Sequence, residues 1–289
     1  MADQLIRATG ESLPIRLVIC DFTEIAQIVA RQHQAQAWSM SLLADAMIAS
    51  SFLSASMKHA GSVSFEARFS GDISSVHADT SPMGLVRATI SSDECQKLKE
   101  FEPALSPQLL TIKKFSEKGK KLSEGIIEMP TQKIGPSLAT YFLQSEQVKS
   151  AVYIESKWNE KDTTQLEFAY GFYIEAFPDI TDLQMTFIEY QVRDIKSMVE
   201  FKTENGLDAK KLLTQICGDH PWTIHREILP TLYCPCSIER IEKSLVSLGI
   251  EGIQEIIDDG EAIEMVCEYC KEKYNIDLAH LEKLRSELL

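Results

Sequence analysis

Four of the seven cysteines fall into two short pairs that could bind one metal ion. Cys234 and Cys236 flank a single proline, Cys267 and Cys270 flank two residues, and thirty residues lie between the two pairs. A tetrahedral zinc ion takes four soft ligands at about 2.3 Å, and two tight turns can each present two sulfurs to it. Four separate buried thiols would leave this clustering unexplained. The spacing therefore predicts one zinc ion per chain, bound by Cys234, Cys236, Cys267 and Cys270.

A site made of four cysteines has no open coordination position, so hydrolysis by a Lewis-acid metal is not expected. The zinc site could have a purely structural role in a small domain, or it could act as a redox switch. Two features favour a switch. A disulfide within the Cys234–Cys236 loop should be strained, so this pair would stay reduced without a strong oxidant. The last 56 residues carry six basic and thirteen acidic side chains, so their folding should depend on the metal.

The composition and charge of the chain argue against several classes of protein. The chain has 289 residues and a formal charge of −14, which disfavours nucleic acid and anionic lipid as partners. The longest apolar stretch, Leu42 to Met57, contains Asp45 and several serines, which is typical of a buried helix and not of a membrane span. The N-terminus has no signal-peptide pattern, so we expect a cytoplasmic protein with reduced cysteines.

The periodicity of apolar residues predicts an α+β protein in three parts. Residues 1–179 combine helices with antiparallel strands, including an alternating run from Val63 to Phe69. From Ile180 the pattern becomes helical, and residues 180–233 form an amphipathic segment that must pack against a partner surface. Residues 234–289 form a small zinc-binding domain, with a tight hairpin from Met265 to Tyr274 and a last helix that begins after Asp277.

Several motifs together resemble the heat shock protein 33 family of redox-regulated chaperones. The Cys-x-Cys and Cys-x-x-Cys pairs lie in an acidic C-terminal module, where Asp259-Gly260-Glu261 precedes the second pair and Tyr274 follows it. Tyr141-Phe142 followed by Ser145-Glu146-Gln147 resembles the family's helix-end motif. Ser50 to Lys58, running into the strand at Gly61, resembles its N-terminal helix and sheet. The likeness covers most of the chain.

The resemblance implies a cytosolic holdase that uses no ATP and prevents unfolding proteins from aggregating during oxidative stress. The reduced, zinc-bound protein would be an inactive monomer. Oxidant would join Cys234 to Cys236 and Cys267 to Cys270 and expel zinc. The C-terminal module would then unfold and the middle segment detach, which frees apolar surface for client proteins and for dimerisation.

The remaining candidate residues do not indicate a catalytic or nucleotide-binding site. Cys20, Cys95 and Cys217 stand singly and fit small buried side chains. No glycine-rich nucleotide loop or Gly-x-Ser-x-Gly elbow occurs, so Ser145 is not a predicted nucleophile and we expect no enzyme. The only basic run is interpreted as a solvated loop face, formed by Lys113, Lys114, Lys118, Lys120 and Lys121.

Two further hypotheses remain open. One is an interaction adaptor whose zinc ribbon is constitutive, so that oxidation leaves binding unchanged or destroys it. The other is a thiol oxidoreductase, which would need an accessible cysteine of low pKa next to a Cys-x-x-Cys motif on a βαβ unit. The sequence lacks that context.

Overall fold

The computed structural model describes residues 3–57, 60–91, 105–195 and 197–288. The chain divides into two units, Met1–Leu232 and Tyr233–Leu289. Cys95 and Lys58 lie outside the described residues, as does the whole stretch between Ser91 and Leu105. Among the described residues, every helix is too short or too polar to cross a bilayer.

The strands of the first unit form two sheets. The five-stranded sheet has the order β10-β1-β2-β9-β8, with β1 Gln4–Gly10, β2 Ile15–Asp21, β8 Ser150–Asn159, β9 Asp162–Ala176 and β10 Trp222–Ile228. The six-stranded sheet has the order β11-β5-β4-β3-β6-β7, with β3 Gly61–Gly71, β4 Ser75–Thr80, β5 Leu85–Ser91, β6 Leu105–Ser116, β7 Lys121–Glu128 and β11 Thr231–Leu232. All these pairings are antiparallel except the short one between β11 and β5.

One helix forms the centre of the first unit. After α1 (Thr23–Gln32), α2 (Ala37–Ala55) lies between the two sheets and shares one apolar core with both. Its apolar and small residues surround the helix on every side, as a helix buried all round requires. A third helix, α3 (Ile134–Tyr141), continues into a π turn at Phe142–Glu146. The predicted buried helix is therefore confirmed.

The middle segment folds over the other face of the five-stranded sheet. Its helices α4 (Asp182–Asp194), α5 (Met198–Asn205) and α6 (Ala209–Cys217) begin at Thr181, Ser197 and Asp208, whose side chains accept hydrogen bonds from the first turns. A second core joins them to the sheet and includes Ile6, Leu17, Ile19, Phe172, Met198, Phe201, Leu212 and Ile216. The predicted amphipathic segment thus has its partner surface, and the sheet is buried on both faces.

The sequence pattern predicted no strand between Ile180 and Tyr233, and this is wrong for the end of that segment. β10 pairs along β1 at the edge of the five-stranded sheet, and β11 pairs with β5. Trp222 and Ile224 of β10 pack against the second core and Ile228 packs against the first, while the polar residues of this edge strand are exposed. Arg226 interrupts the apolar alternation, and three apolar residues are too few to show the period of a strand.

The second unit is small and contains three helices and one hairpin among its described residues. They are α7 Ile238–Val246, α8 Gly249–Asp258, β12 Ile263–Val266, β13 Lys273–Ile276 and α9 Leu278–Glu287. The hairpin and the last helix confirm the sequence prediction. Its core has five buried apolar side chains, Leu245, Ile253, Ile276, Leu281 and Leu284. The α+β fold class is confirmed for the chain.

Candidate metal centre

The four paired cysteines come together in the second unit. Their sulfurs all lie within 4.8 Å of one another, and all four thiols are free. Two distances between the pairs are 3.6 Å from Cys234 Sγ to Cys267 Sγ and 3.3 Å from Cys236 Sγ to Cys270 Sγ. These sulfurs are too far apart for disulfide bonds, which measure about 2.05 Å.

The first pair is held at the entrance to α7. Ser237 follows Cys236 directly and caps the helix, because its hydroxyl accepts a hydrogen bond from the Arg240 amide. The Arg240 guanidinium reaches back and donates to the Pro235 carbonyl at 2.9 Å. Arg240 therefore ties the turn between the two sulfurs to the first turn of the helix.

The second pair lies in the turn of the β12–β13 hairpin. The Cys267 amide donates to the Glu272 carbonyl at 2.9 Å, and the Lys271 amide donates to the Cys267 carbonyl at 3.0 Å. Lys271 has a positive φ of 60°, which lets the chain reverse immediately after Cys270. The backbone itself thus aims both sulfurs toward the first pair.

The arrangement fits a tetrahedral metal ion. Four sulfurs at about 2.3 Å from a zinc ion would lie about 3.8 Å apart, close to the distances between the pairs. The donors are all thiols, the soft ligands that favour zinc in a tetrahedral site. Burial raises the pKa of the Cys270 thiol to about 12. Metal binding at neutral pH would therefore displace protons.

Tyr274 provides a contact that sequence reasoning did not assign. Its hydroxyl donates to Cys236 Sγ at 3.2 Å, so a residue of β13 contacts the first cysteine pair. The hydrogen bond to Cys236 raises the pKa of Tyr274, which therefore remains a donor. Its place four residues after Cys270 was visible in the sequence, but nothing there indicated which sulfur it would reach.

The single cysteines are core residues where the structure describes them. Cys20 and Cys217 are fully buried, and burial raises the pKa of Cys217 to about 11 and that of Cys20 as well. Thiols of such high pKa are poor nucleophiles at neutral pH. The prediction of small buried side chains is confirmed for these two, and Cys95 lies outside the described residues.

The basic run occupies the β6–β7 hairpin and has acidic neighbours. Lys114 pairs with Glu146 at 2.6 Å, and Lys121 pairs with Glu124 at 2.7 Å. Glu146 also accepts a hydrogen bond from the Tyr141 hydroxyl, which fixes the π turn on this hairpin. The Ser145-Glu146-Gln147 motif therefore ends a helix, with Gln147 in the left-handed conformation.

Comparison with known proteins assigns the chain to a family. The family model described as "Hsp33 protein" matches residues 3–277. The chain belongs to the Hsp33 family. Relatives named "33 kDa chaperonin" are 28% identical in Lactococcus lactis subsp. cremoris (strain SK11), covering 98% of this chain and 99% of the relative, and 28% identical in Bacillus subtilis (strain 168), covering 99% of both. The resemblance to the heat shock protein 33 family that the sequence motifs indicated is confirmed.

A solved Hsp33 structure has the same fold. The crystal structure of the 33 kDa chaperonin from Thermotoga maritima superposes with a TM-score of 0.86 at 18% identity and covers 99% of both chains. At this identity the match shows the architecture, including the order of sheets and helices. The chemistry of the metal centre is therefore argued from the residues of this chain and not from the structural match.

Proposed function

We propose that this Hsp33 family member is a redox-regulated, ATP-independent chaperone that acts in the cytosol without enzymatic activity. Family membership and the relatives named 33 kDa chaperonin support the chaperone role. The single observation that carries the redox switch is the cluster of four free thiols within 4.8 Å. Reduced, it would hold one zinc ion through Cys234, Cys236, Cys267 and Cys270, and zinc would supply folding energy to the second unit.

The switch is an oxidation of the cysteines. Four thiolates give up four electrons and form two disulfides, while two molecules of peroxide take up these electrons with four protons and become four molecules of water. A disulfide sulfur has lost the negative charge that binds a metal, so the site loses its ligands. The family resemblance implies the pairs Cys234–Cys236 and Cys267–Cys270. Peptide mapping of the oxidised chain distinguishes them from Cys234–Cys267 and Cys236–Cys270.

Loss of the ligands would unfold the second unit, because its core is small. The middle segment would then detach from the five-stranded sheet and expose the second core of the first unit, which includes Leu17, Phe172 and Phe201. That surface would bind unfolding client proteins, and a second copy of the chain would form a dimer there. The reduced protein would be a monomer.

The test measures zinc release and client aggregation together. Reduced protein is treated with peroxide or hypochlorous acid, and samples along the time course are added to an unfolding client whose light scattering is followed. We expect suppression of scattering to rise as zinc leaves. Equal protection before and after oxidation would refute the switch, and oxidant-independent binding would favour a constitutive zinc-ribbon adaptor.

A further inference from the structure

Three arginines of the five-stranded sheet lie on one face and line one cavity. Arg7 of β1 stands directly opposite Arg226 of β10 and opposite Val18 of β2. Arg16 lies two residues before Val18, so its side chain leaves the sheet on the same face as that of Arg7. All three line a cavity of about 470 Å³ near the end of α2, together with Ser56, Pro82 and Met83.

This arrangement places like charges together in an acidic protein. Arginines directly opposite each other across two strands repel, and partial burial strengthens the repulsion. Burial and the charges of Arg16 and Arg226 both lower the pKa of Arg7. A cluster of this kind therefore costs stability unless an anion occupies it.

The partners of the three guanidinium groups leave a surplus of positive charge. Arg16 pairs with Glu175 at 2.9 Å and lies over the ring of Phe177. Arg226 donates to the Pro82 carbonyl, which carries no net charge. The Arg7 guanidinium makes no hydrogen bond or ion pair with the side chains and backbone groups that the structure describes. Among the described residues that line the cavity, none is acidic.

We propose that Arg7, Arg16 and Arg226 form a binding site for a phosphate-type dianion. Two guanidinium charges without a carboxylate partner match the double charge of a phosphate. Its several terminal oxygens can also accept from more than one planar guanidinium group, whereas a carboxylate offers two oxygens and one charge. The site lies in the first unit, away from the four cysteines in sequence, and is independent of the redox proposal.

The probe for this site is inorganic phosphate, added to the reduced full-length chain at constant ionic strength with chloride as the reference salt. Affinity is measured by titration calorimetry, and the thermal unfolding midpoint is followed by tryptophan fluorescence. We expect saturable binding and a higher midpoint with phosphate. Arg7→Gln should weaken binding by roughly tenfold or more, since it removes a charge-assisted contact.

The matched control is Arg31→Gln, which removes the same charge from an exposed position on α1 and should change the affinity less than twofold. Without anion, Arg7→Gln should unfold at the wild-type temperature or above, because repulsion is relieved, and phosphate should raise its unfolding midpoint little. Arg226→Gln, at an exposed position, repeats the affinity test if Arg7→Gln does not fold. The absence of stabilisation in the wild type, or equal losses in Arg31→Gln and Arg7→Gln, would overturn the proposal.

Discussion

At the scale of single residues, Tyr274 connects the hairpin to the first cysteine pair. Its hydroxyl donates to Cys236 Sγ at 3.2 Å and would steady that ligand and its charge in the metal-bound state. We expect Tyr274→Phe to weaken zinc binding roughly tenfold, the lower end of the effect of losing such an outer contact. Competition against a chromogenic zinc chelator measures this change.

The control for Tyr274→Phe is Tyr233→Phe, which makes the same change in the same unit at a side chain that is 54% exposed. Its zinc affinity should match the wild type. If both variants bind zinc as the unmodified chain does, the hydroxyl contact contributes nothing to the site.

Asp45 is a second residue for which we predict a measurable effect, here on the pH dependence of stability. This carboxyl group lies on α2, where burial raises its pKa to about 7 against the opposing effect of a hydrogen bond from Ser156. The Ser156 hydroxyl lies 2.6 Å from Asp45 Oδ1 and 3.1 Å from the Ser41 carbonyl. One hydroxyl proton cannot serve both oxygens fully, whereas a protonated Asp45 donates to Ser156 and leaves the Ser156 proton for Ser41.

The stability of the first unit should therefore depend on pH through Asp45. Its pKa is higher in the folded than in the unfolded chain, so the folded state binds the proton more tightly. The free energy of unfolding then falls as pH rises toward 7, with a slope of up to about 1.4 kcal/mol per pH unit from this group. Asp45→Asn should flatten the decline between pH 5 and 7.

Tryptophan fluorescence reports the first unit in this experiment, because Trp38, Trp158 and Trp222 all lie in it. Asp3 has a raised pKa of about 6 and adds a slope of the same sign in both proteins, so the difference between them isolates Asp45. Asp179→Asn, at an exposed position, is the matched control and should keep the wild-type slope. An unchanged slope in Asp45→Asn would contradict the assignment.

At the scale of elements, helices α4 to α6 act as a cover on the five-stranded sheet. Leu212 of α6 is completely buried in the second core, whereas Leu183 of α4 is 81% exposed. Leu212→Ala should lower the free energy of unfolding of the first unit by about 2–5 kcal/mol, since it deletes packed atoms and leaves a cavity. Leu183→Ala should change it by less than about 0.5 kcal/mol.

Urea unfolding followed by tryptophan fluorescence measures both variants, and binding of an apolar dye to the reduced protein shows whether the cover loosens. We expect more dye on Leu212→Ala than on Leu183→Ala. Equal stability and equal dye binding would mean that the cover does not contribute to holding the sheet closed.

Elements with a local sequence pattern could be predicted, and elements without such a pattern could not. The four cysteines and the hairpin around them follow from short spacings, and the alternating run that became β3 shows one buried face. β2 was missed because both faces of its sheet are buried, so Ile15–Asp21 is almost continuously apolar and has no period of two. β10 and the Tyr274 contact depend on neighbours distant in sequence, which spacing alone does not reveal.

At the scale of the whole molecule, the two units differ in how they are stabilised. The first has two extensive apolar cores around its sheets, whereas the second has five buried apolar side chains and carries a net charge of −7 from Cys234 to Leu289. Self-repulsion and a small core both oppose folding of the second unit. A metal bound by four thiolates would offset them, and the first unit has no need of it.

Metal removal should therefore unfold one unit and spare the other. We expect a strong zinc chelator, added to the reduced chain, to abolish the hydrogen-exchange protection of amides in α7, α8 and α9, while amides of α2 keep theirs. Restoring zinc should restore the protection, because the cysteines stay reduced throughout. If α7 to α9 stayed protected without metal, the apolar core of the second unit would be sufficient to fold it, and oxidation of the cysteines could not act by unfolding that unit.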